Sequence, residues 1–321
     1  MKSKSRLKPA PVVRPNGGLL SDTIASSSAF YYLDHEGVRL RVMLARPDTK
    51  DPRGSIIFCP GRTEFIEKYL ETVEDFLARG FFVLILDPRG QGLSDRLLPD
   101  RLKSFVHQFQ DYADDLAFVT ESFADDLPKP YIVMGHSMGG CIALMSVISG
   151  VMNPSAVVCS APMLGLFDVN TKPAELFVRF FNILGFSKRN LPFQKQDGGL
   201  PVSFKGNKLT SDPDRFARWA SYFKSTPELR VAGPTFRWIS ESLKAMTYVN
   251  RNANRLKIPG LIIAAGADPI VDPASNASFA RAASIDYHVV PGALHEVLME
   301  KDVYRDQFFS AFDDFLKKQG L

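Results

Sequence analysis

Along most of the chain, short continuously apolar runs take turns with longer stretches in which apolar residues recur every third or fourth position. Residues 30–33 and 38–44 are strand-like and flank Asp34-His35-Glu36-Gly37, a turn-forming group, so a hairpin is predicted. Residues 55–59 are the next apolar run and end in Pro60-Gly61. Residues 64–79 place Phe65, Tyr69, Val73, Phe76 and Leu77 on one helical face, and Gly80 stops that helix. A strand over 81–86, a helix over 105–127, a strand over 131–134, a helix over 139–148 and a strand over 155–159 continue the alternation. Strands apolar on both faces and separated by helices predict a mostly parallel, doubly wound α/β sheet, with the hairpin as an antiparallel edge.

The rhythm stops after Ala161. Between 162 and 254 the pattern offers helices over 175–184, 213–224 and 236–251, joined by polar stretches such as Gln196-Asp197-Gly198-Gly199. Both tryptophans, Trp219 and Trp238, lie here among many phenylalanines. This segment is predicted as a helical insertion. The sheet resumes with strands over 261–264 and 285–290 and helices over 274–283 and 303–318. The expectation is an eight-stranded sheet in a core made from 28–161 and 255–321, with 162–254 as a helical cap.

Composition agrees with one large domain carrying an insertion: 321 residues, 45% hydrophobic and 23% charged. Such a chain is neither disordered nor fibrous. The formal charge is +4, and part of the excess is local, because Lys2, Lys4, Arg6, Lys8 and Arg14 all precede the first acidic residue, Asp22. Residues 1–27 are therefore expected as a flexible basic arm. A solvated tail is the first reading of it, and peripheral contact with an anionic membrane face is the second. The near-neutral remainder gives no reason to expect a nucleic-acid partner. No apolar h-region follows the basic start, and no apolar run approaches a membrane span. Cys59, Cys141 and Cys159 each sit in an apolar run and read as buried thiols of a reducing compartment, so a cytoplasmic location is expected.

The chemistry concentrates in Gly135-His136-Ser137-Met138-Gly139, a G-x-S-x-G between an apolar strand and a helix. A serine on that sharp turn needs small residues two positions to either side, and the helix N-terminus favours developing negative charge. Ser137 is the expected nucleophile. Its general base should lie at the same sheet edge. Of five histidines, His295 alone follows the last strand, in Pro291-Gly292-Ala293-Leu294-His295. The orienting carboxylate is expected at Asp268, just beyond the strand 261–264. Asp272 competes, but it precedes Pro273 and reads as a helix N-cap. Two backbone donors for an oxyanion are expected from Arg62, after Pro60-Gly61, and from Met138. Glu64 is expected to pin that loop. No Cys/His ligand spacing and no G-x-G-x-x-G is present, so neither a metal nor another cofactor is expected.

Pro60-Gly61-Arg62-Thr63-Glu64, Asp87-Pro88-Arg89-Gly90-Gln91-Gly92-Leu93-Ser94, Gly135-His136-Ser137-Met138-Gly139-Gly140, Gly266-Ala267-Asp268 and Gly292-Ala293-Leu294-His295 together resemble the α/β-hydrolase branch of monoacylglycerol lipases and bacterial lysophospholipases. The chain order Ser137, Asp268, His295 is the one that fold uses. The resemblance implies an α/β-hydrolase fold with a helical cap over the site, and oxyanion donors at Arg62 and Met138. It departs where Pro60-Gly61 replaces the commoner His-Gly and where Arg62 replaces a small residue. That long cation would meet a phosphate or carboxylate, or pair with Glu64 or Asp87.

The expected reaction is ester hydrolysis through an acyl-enzyme, with no metal. The aromatic insertion argues for an apolar acyl portion, and the resemblance implies a lysophospholipid or monoacylglycerol. Alternatives on the same scaffold are a small-molecule carboxylesterase, a C–C bond hydrolase, a haloperoxidase-like enzyme and an aminopeptidase. For the last, Asp168, Glu175 and Asp197 are candidates to hold a substrate amine. A non-catalytic binding module is the remote alternative. Nothing in the sequence sets the oligomeric state.

Overall fold

The computed structural model describes residues 7–14, 20–167, 171–191 and 203–321. Its strands are β1 (Lys8–Pro9), β2 (Ser28–His35), β3 (Val38–Ala45), β4 (Gly54–Cys59), β5 (Phe81–Asp87), β6 (Tyr131–His136), β7 (Ala156–Ser160), β8 (Gly260–Ala265) and β9 (Asp286–Val290). They form one sheet in the order β1-β2-β3-β5-β4-β6-β7-β8-β9. Pairing is antiparallel from β1 to β5 and parallel from there to β9. The helices are α1 (Asp22–Ser27), α2 (Leu70–Ala78), α3 (Gln110–Ser122), α4 (Met138–Ile148), α5 (Thr171–Phe181), α6 (Pro213–Ser225), α7 (Phe236–Arg251), α8 (Pro273–Ala283) and α9 (Asp302–Gln319). The fold is that of an α/β-hydrolase with inserted helical regions.

Strand side chains alternate between two cores, as the period of an extended chain requires. Ile57, Val133, Val157 and Ile262 point to the face covered by α3, α4, α7 and α8. Ile56, Phe58, Ile132, Met134 and Ile263 point to the other, covered by α2 and by Phe308 and Phe312 of α9. Residues 54–59 and 260–265 are buried throughout, which explains why these strands read as unbroken apolar runs.

Two expectations need correction. The sheet has nine strands, not eight, because Lys8 and Pro9 pair with Tyr32 and Tyr31 at the edge. Two residues are too few to leave a periodic signal, and Pro is tolerated at an edge. The described part of the arm expected to be flexible is also anchored. Val13 is buried, its N–H donating to Glu67 Oε1 at 2.8 Å, and the Pro11 carbonyl accepts from Arg41 Nε at 3.1 Å. Ser21 caps α1, whose Ile24 is buried. Lys2, Lys4 and Arg6 lie outside the described residues.

Two helices are shorter than their apolar spacing suggests. A 3-10 turn over Ile66–Tyr69 precedes α2, and α3 starts only at Gln110. Phe105 and Val106 are nonetheless buried, so the spacing there reported burial in an extended segment that bridges at Ser104 to Pro234.

The sheet order places β4 between β5 and β6, so the chain turns one way from β4 and then returns to its other side. In open α/β sheets the crevice beyond the carboxyl ends of the strands at such a switch point is where ligands bind. Cys59 at the end of β4 is level with Gly135 of β6. α5, α6 and α7 all lie between β7 and β8 in the chain.

Candidate active site

Ser137 stands between β6 and α4 with φ 52° and ψ −116°, a region where non-glycine residues are strained. The turn is enforced by packing. A Cβ on Gly139 would lie 1.9 Å from the Cys59 carbonyl oxygen, and one on Gly135 would lie 2.2 Å from the Gly139 carbonyl oxygen. The Ser137 N–H donates to the Ser160 carbonyl at 3.0 Å, and its carbonyl accepts from Met163 N at 2.9 Å. The hydroxyl is thus fixed at the sheet edge on a half-exposed residue.

His295 Nε2 lies 2.9 Å from Ser137 Oγ, and its Nδ1 lies 2.7 Å from Asp268 Oδ2. Asp268 Oδ1 accepts from Ile270 N at 2.8 Å and Val271 N at 3.0 Å, so one oxygen is held by backbone and the other faces the imidazole. Asp268 and His295 are both buried. The three form an apparent Ser–His–Asp triad, with His295 in the orientation that donates from Nδ1 and accepts at Nε2. The loops bearing acid and base are joined directly, since Ala267 N donates to the Ala293 carbonyl at 2.9 Å. Asp272 instead caps α8, accepting from Ala274 N at 2.9 Å.

The loop after β4 is tightly bonded. The Gly61 N–H donates to Glu64, the Gly61 carbonyl accepts from Gln91 Nε2 at 3.1 Å, and Thr63 N donates to Gln91 Oε1 at 2.6 Å. The N–H groups of Arg62 and Met138 donate to no acceptor among the described residues. Met138 is the first residue of α4, where backbone N–H groups have no partner within the helix.

Behind the triad lies a buried polar cluster. Lys68 Nζ sits 2.8 Å from Glu64 Oε1 and 2.6 Å from Glu296 Oε1, and Tyr69 Oη donates to Glu64 at 2.6 Å. Burial would raise the Glu64 carboxyl, but the Lys68 charge and the hydrogen bonds from Lys68 and Tyr69 outweigh it and hold Glu64 at about 2. Glu296 is pushed up by burial in spite of Lys68, as expected for two carboxylates sharing one ammonium. Burial pushes His136 down to about 3, so its ring is neutral; it tilts over the His295 ring with centroids 4.8 Å apart. Glu64, His136 and Glu296 are the one group among the described residues spaced to share a metal ion, and Lys68 already provides the cation there. Glu300, fully buried, accepts from Leu294 N at 2.9 Å and Ser211 Oγ at 2.6 Å, binding the His295 loop to the inserted segment.

Sequence reading reached Glu64 as a loop pin but missed Lys68, Glu296 and Glu300. The i,i+4 spacing of Glu64 and Lys68 was a usable signal, whereas Glu296 enters only through the fold. Arg62 pairs with neither Glu64 nor Asp87. Its guanidinium donates to the Ala232 carbonyl at 3.0 Å and lies 5.6 Å from the Trp238 ring centre. Asp87 is engaged by Arg41 at 3.1 Å. Cys59, Cys141 and Cys159 are free and buried, and burial pushes all three thiols up, which leaves them inert. Of the amine-holding candidates, Asp168 and Asp197 lie outside the described residues, and Glu175 lines a cavity of about 460 Å³ with Arg179, Arg237 and Lys244.

Residues 50–302 match the family model described as serine aminopeptidase, S33. The chain is 33% identical over 284 residues to lysophospholipase L2 of Escherichia coli (strain K12), covering 83% of this chain and 81% of that protein. It is 28% identical over 272 residues to a monoacylglycerol lipase of Mycolicibacterium smegmatis, covering 83% and 89% respectively. Among solved structures, a soluble variant of monoglyceride lipase from Saccharomyces cerevisiae superposes with a TM-score of 0.74 at 21% identity, over 95% of this chain and 99% of that one.

Proposed function

This chain belongs to the serine aminopeptidase S33 family of α/β-hydrolases, and from that premise we propose that it is a serine esterase that cleaves a lysophospholipid or a monoacylglycerol. The observation that carries this reading is the line from Ser137 Oγ through His295 to Asp268, together with the backbone N–H groups of Arg62 and Met138, which donate to no acceptor among the described residues.

His295 Nε2 takes the Ser137 proton as Oγ attacks the ester carbonyl carbon. The charge that develops on the carbonyl oxygen is met by the N–H groups of Arg62 and Met138. The tetrahedral adduct collapses, the ester C–O bond breaks, and His295 returns the proton to the departing alcohol. Water then attacks the acyl-enzyme, giving a proton to His295; as the acyl–Oγ bond breaks, His295 returns that proton to Ser137 Oγ and the fatty acid leaves. Asp268 stays ionised and holds the imidazole in one tautomer throughout. Glu64, bonded to the Gly61 N–H, fixes the loop that presents the Arg62 N–H.

Lipid substrates reach such a site from an interface. Leu176 and Phe180 on α5 and Ile183 just beyond it are exposed, Ile183 at 75%, with Arg179, Lys188 and Arg189 nearby in sequence. An apolar edge beside cations suits the surface of an anionic bilayer. No helix among the described residues is long and apolar enough to cross one. Glu175, surrounded by cations, is a poor seat for a substrate amine.

Hydrolysis of p-nitrophenyl esters from acetate to palmitate, one monoglyceride, one lysophospholipid and one aminoacyl amide tests the reading, on wild type and Ser137→Ala. Turnover of medium or long esters and of either lipid is expected. It should fall at least about a thousandfold in the variant, whose melting temperature should match wild type. Preference for the amide or for acetate alone would refute the lipid assignment.

A further inference from the structure

The buried guanidinium groups among the described residues are matched to carboxylates. Arg41 meets Asp87 at 3.1 Å, Arg89 meets Asp115 at 2.6 Å, and Arg305 is paired with Asp75. Arg96 lacks a carboxylate but donates to carbonyls of Ser94, Arg101 and Glu228. Arg62 differs from all of these. Among the described residues it has no carboxylate partner and gives a single hydrogen bond, to the Ala232 carbonyl. Trp238 lies against it, and the indole N–H of that ring donates to Tyr112 Oη at 3.3 Å. Burial pushes the guanidinium down from its usual range, with no carboxylate to offset it. A half-buried cation that gives one hydrogen bond among the described residues keeps N–H groups free to take up an anion.

Its position indicates where that anion would come from. Cys59 is level with Gly135 on the neighbouring strand, so Arg62 and Ser137 leave the sheet at the same edge. A Cβ on Gly61 would lie 3.2 Å from His136 Cδ2, which keeps the Arg62 backbone beside the nucleophile turn. From there its side chain runs outward to Ala232 and Trp238 of the inserted segment.

We infer that Arg62 is the specificity-determining residue of this site, its guanidinium receiving the phosphodiester of a lysophospholipid head group while its own N–H faces the carbonyl oxygen of the ester; this rests on the esterase reading above. Guanidinium and phosphate are matched for paired hydrogen bonds, and the Trp238 ring, 5.6 Å from the guanidinium carbon, supports the cation. A monoacylglycerol offers only a hydroxyl at that position.

The test compares wild type, Arg62→Met and Arg62→Lys, all of which keep the backbone N–H. Substrates are lysophosphatidylcholine and monoacylglycerol with one acyl chain, in the same mixed micelles. The readout is the ratio of kcat/KM for the two lipids, which cancels any loss common to both. Wild type should favour the phospholipid, Arg62→Met should lower the ratio about 10- to 100-fold, mainly through KM, and Arg62→Lys should recover part of it. Binding of the same lipids to Ser137→Ala, with and without Arg62→Met, gives a readout independent of turnover. If wild type hydrolyses neither lipid, the esterase reading fails while the binding ratio still decides the role of Arg62. A ratio that stays within about threefold in both assays overturns the inference. So does equal affinity of the Ser137→Ala protein for the two lipids.

Discussion

Ser137 holds a backbone conformation that its residue type disfavours, and the cost is met by neighbours that leave the chain no other path. Gly139 is the sharpest of these. Adding one methyl group would drive it into the Cys59 carbonyl, which cannot move without disturbing β4. Gly139→Ala is therefore expected to lose at least about 2–3 kcal/mol of stability, the range of serious overpacking, and most activity. Urea unfolding measures the first; a change under 1 kcal/mol would mean the turn has slack. This constraint was legible in the sequence because it is local: small residues two positions either side of a serine encode the turn directly. The side-chain destination of Arg62 was not legible. Its acceptor and its aromatic neighbour lie far along the chain, and only the return of the inserted segment to the sheet edge brings them together.

At the scale of elements, strands buried on both faces were readable because their apolar runs are unbroken, while helix starts were not. The residues ahead of α3 are apolar because they are buried, whatever their backbone does. Charged networks that join elements were the least readable part. Arg41 on β3 satisfies Asp87 on β5 and Glu67 in the turn before α2, all fully enclosed. Replacing it with Met leaves two buried carboxylates without a counter-charge, so Arg41→Met is expected to cost about 3–5 kcal/mol. A thermal shift within two degrees of wild type would contradict that. The Glu64 network makes a prediction with a sign. Its carboxyl is held at about 2, below its ordinary 4.5, so its contribution is complete above about pH 4.5 and is lost as pH falls towards 2. Glu64→Gln should thus have a lower urea midpoint than wild type at neutral pH, and the gap should close between pH 4.5 and pH 2. A gap independent of pH over that interval would remove ionisation from the explanation.

For the whole molecule, the location of cations and apolar edges sets how it approaches a lipid surface. Because Val13 is packed and Pro11 is bonded to Arg41, a test of the basic arm should remove only residues 1–6, which leaves the fold's anchors in place. Partition onto vesicles containing anionic lipid is expected to weaken about tenfold in Ile183→Asp/Leu176→Asp, and less in the truncation. Equal binding by all three proteins would exclude both surfaces. The order in which the chain visits the sheet carries a further consequence. β7 and β8 are hydrogen-bonded neighbours, yet the entire inserted segment is threaded between them. Closing a loop costs only about 0.6 kcal/mol more for each doubling of its length. Descendants of this chain can therefore lengthen, shorten or exchange that segment at little thermodynamic penalty. Appetite for new substrates can drift there while Ser137, Asp268 and His295 stay fixed on the frame that existed before the exchange.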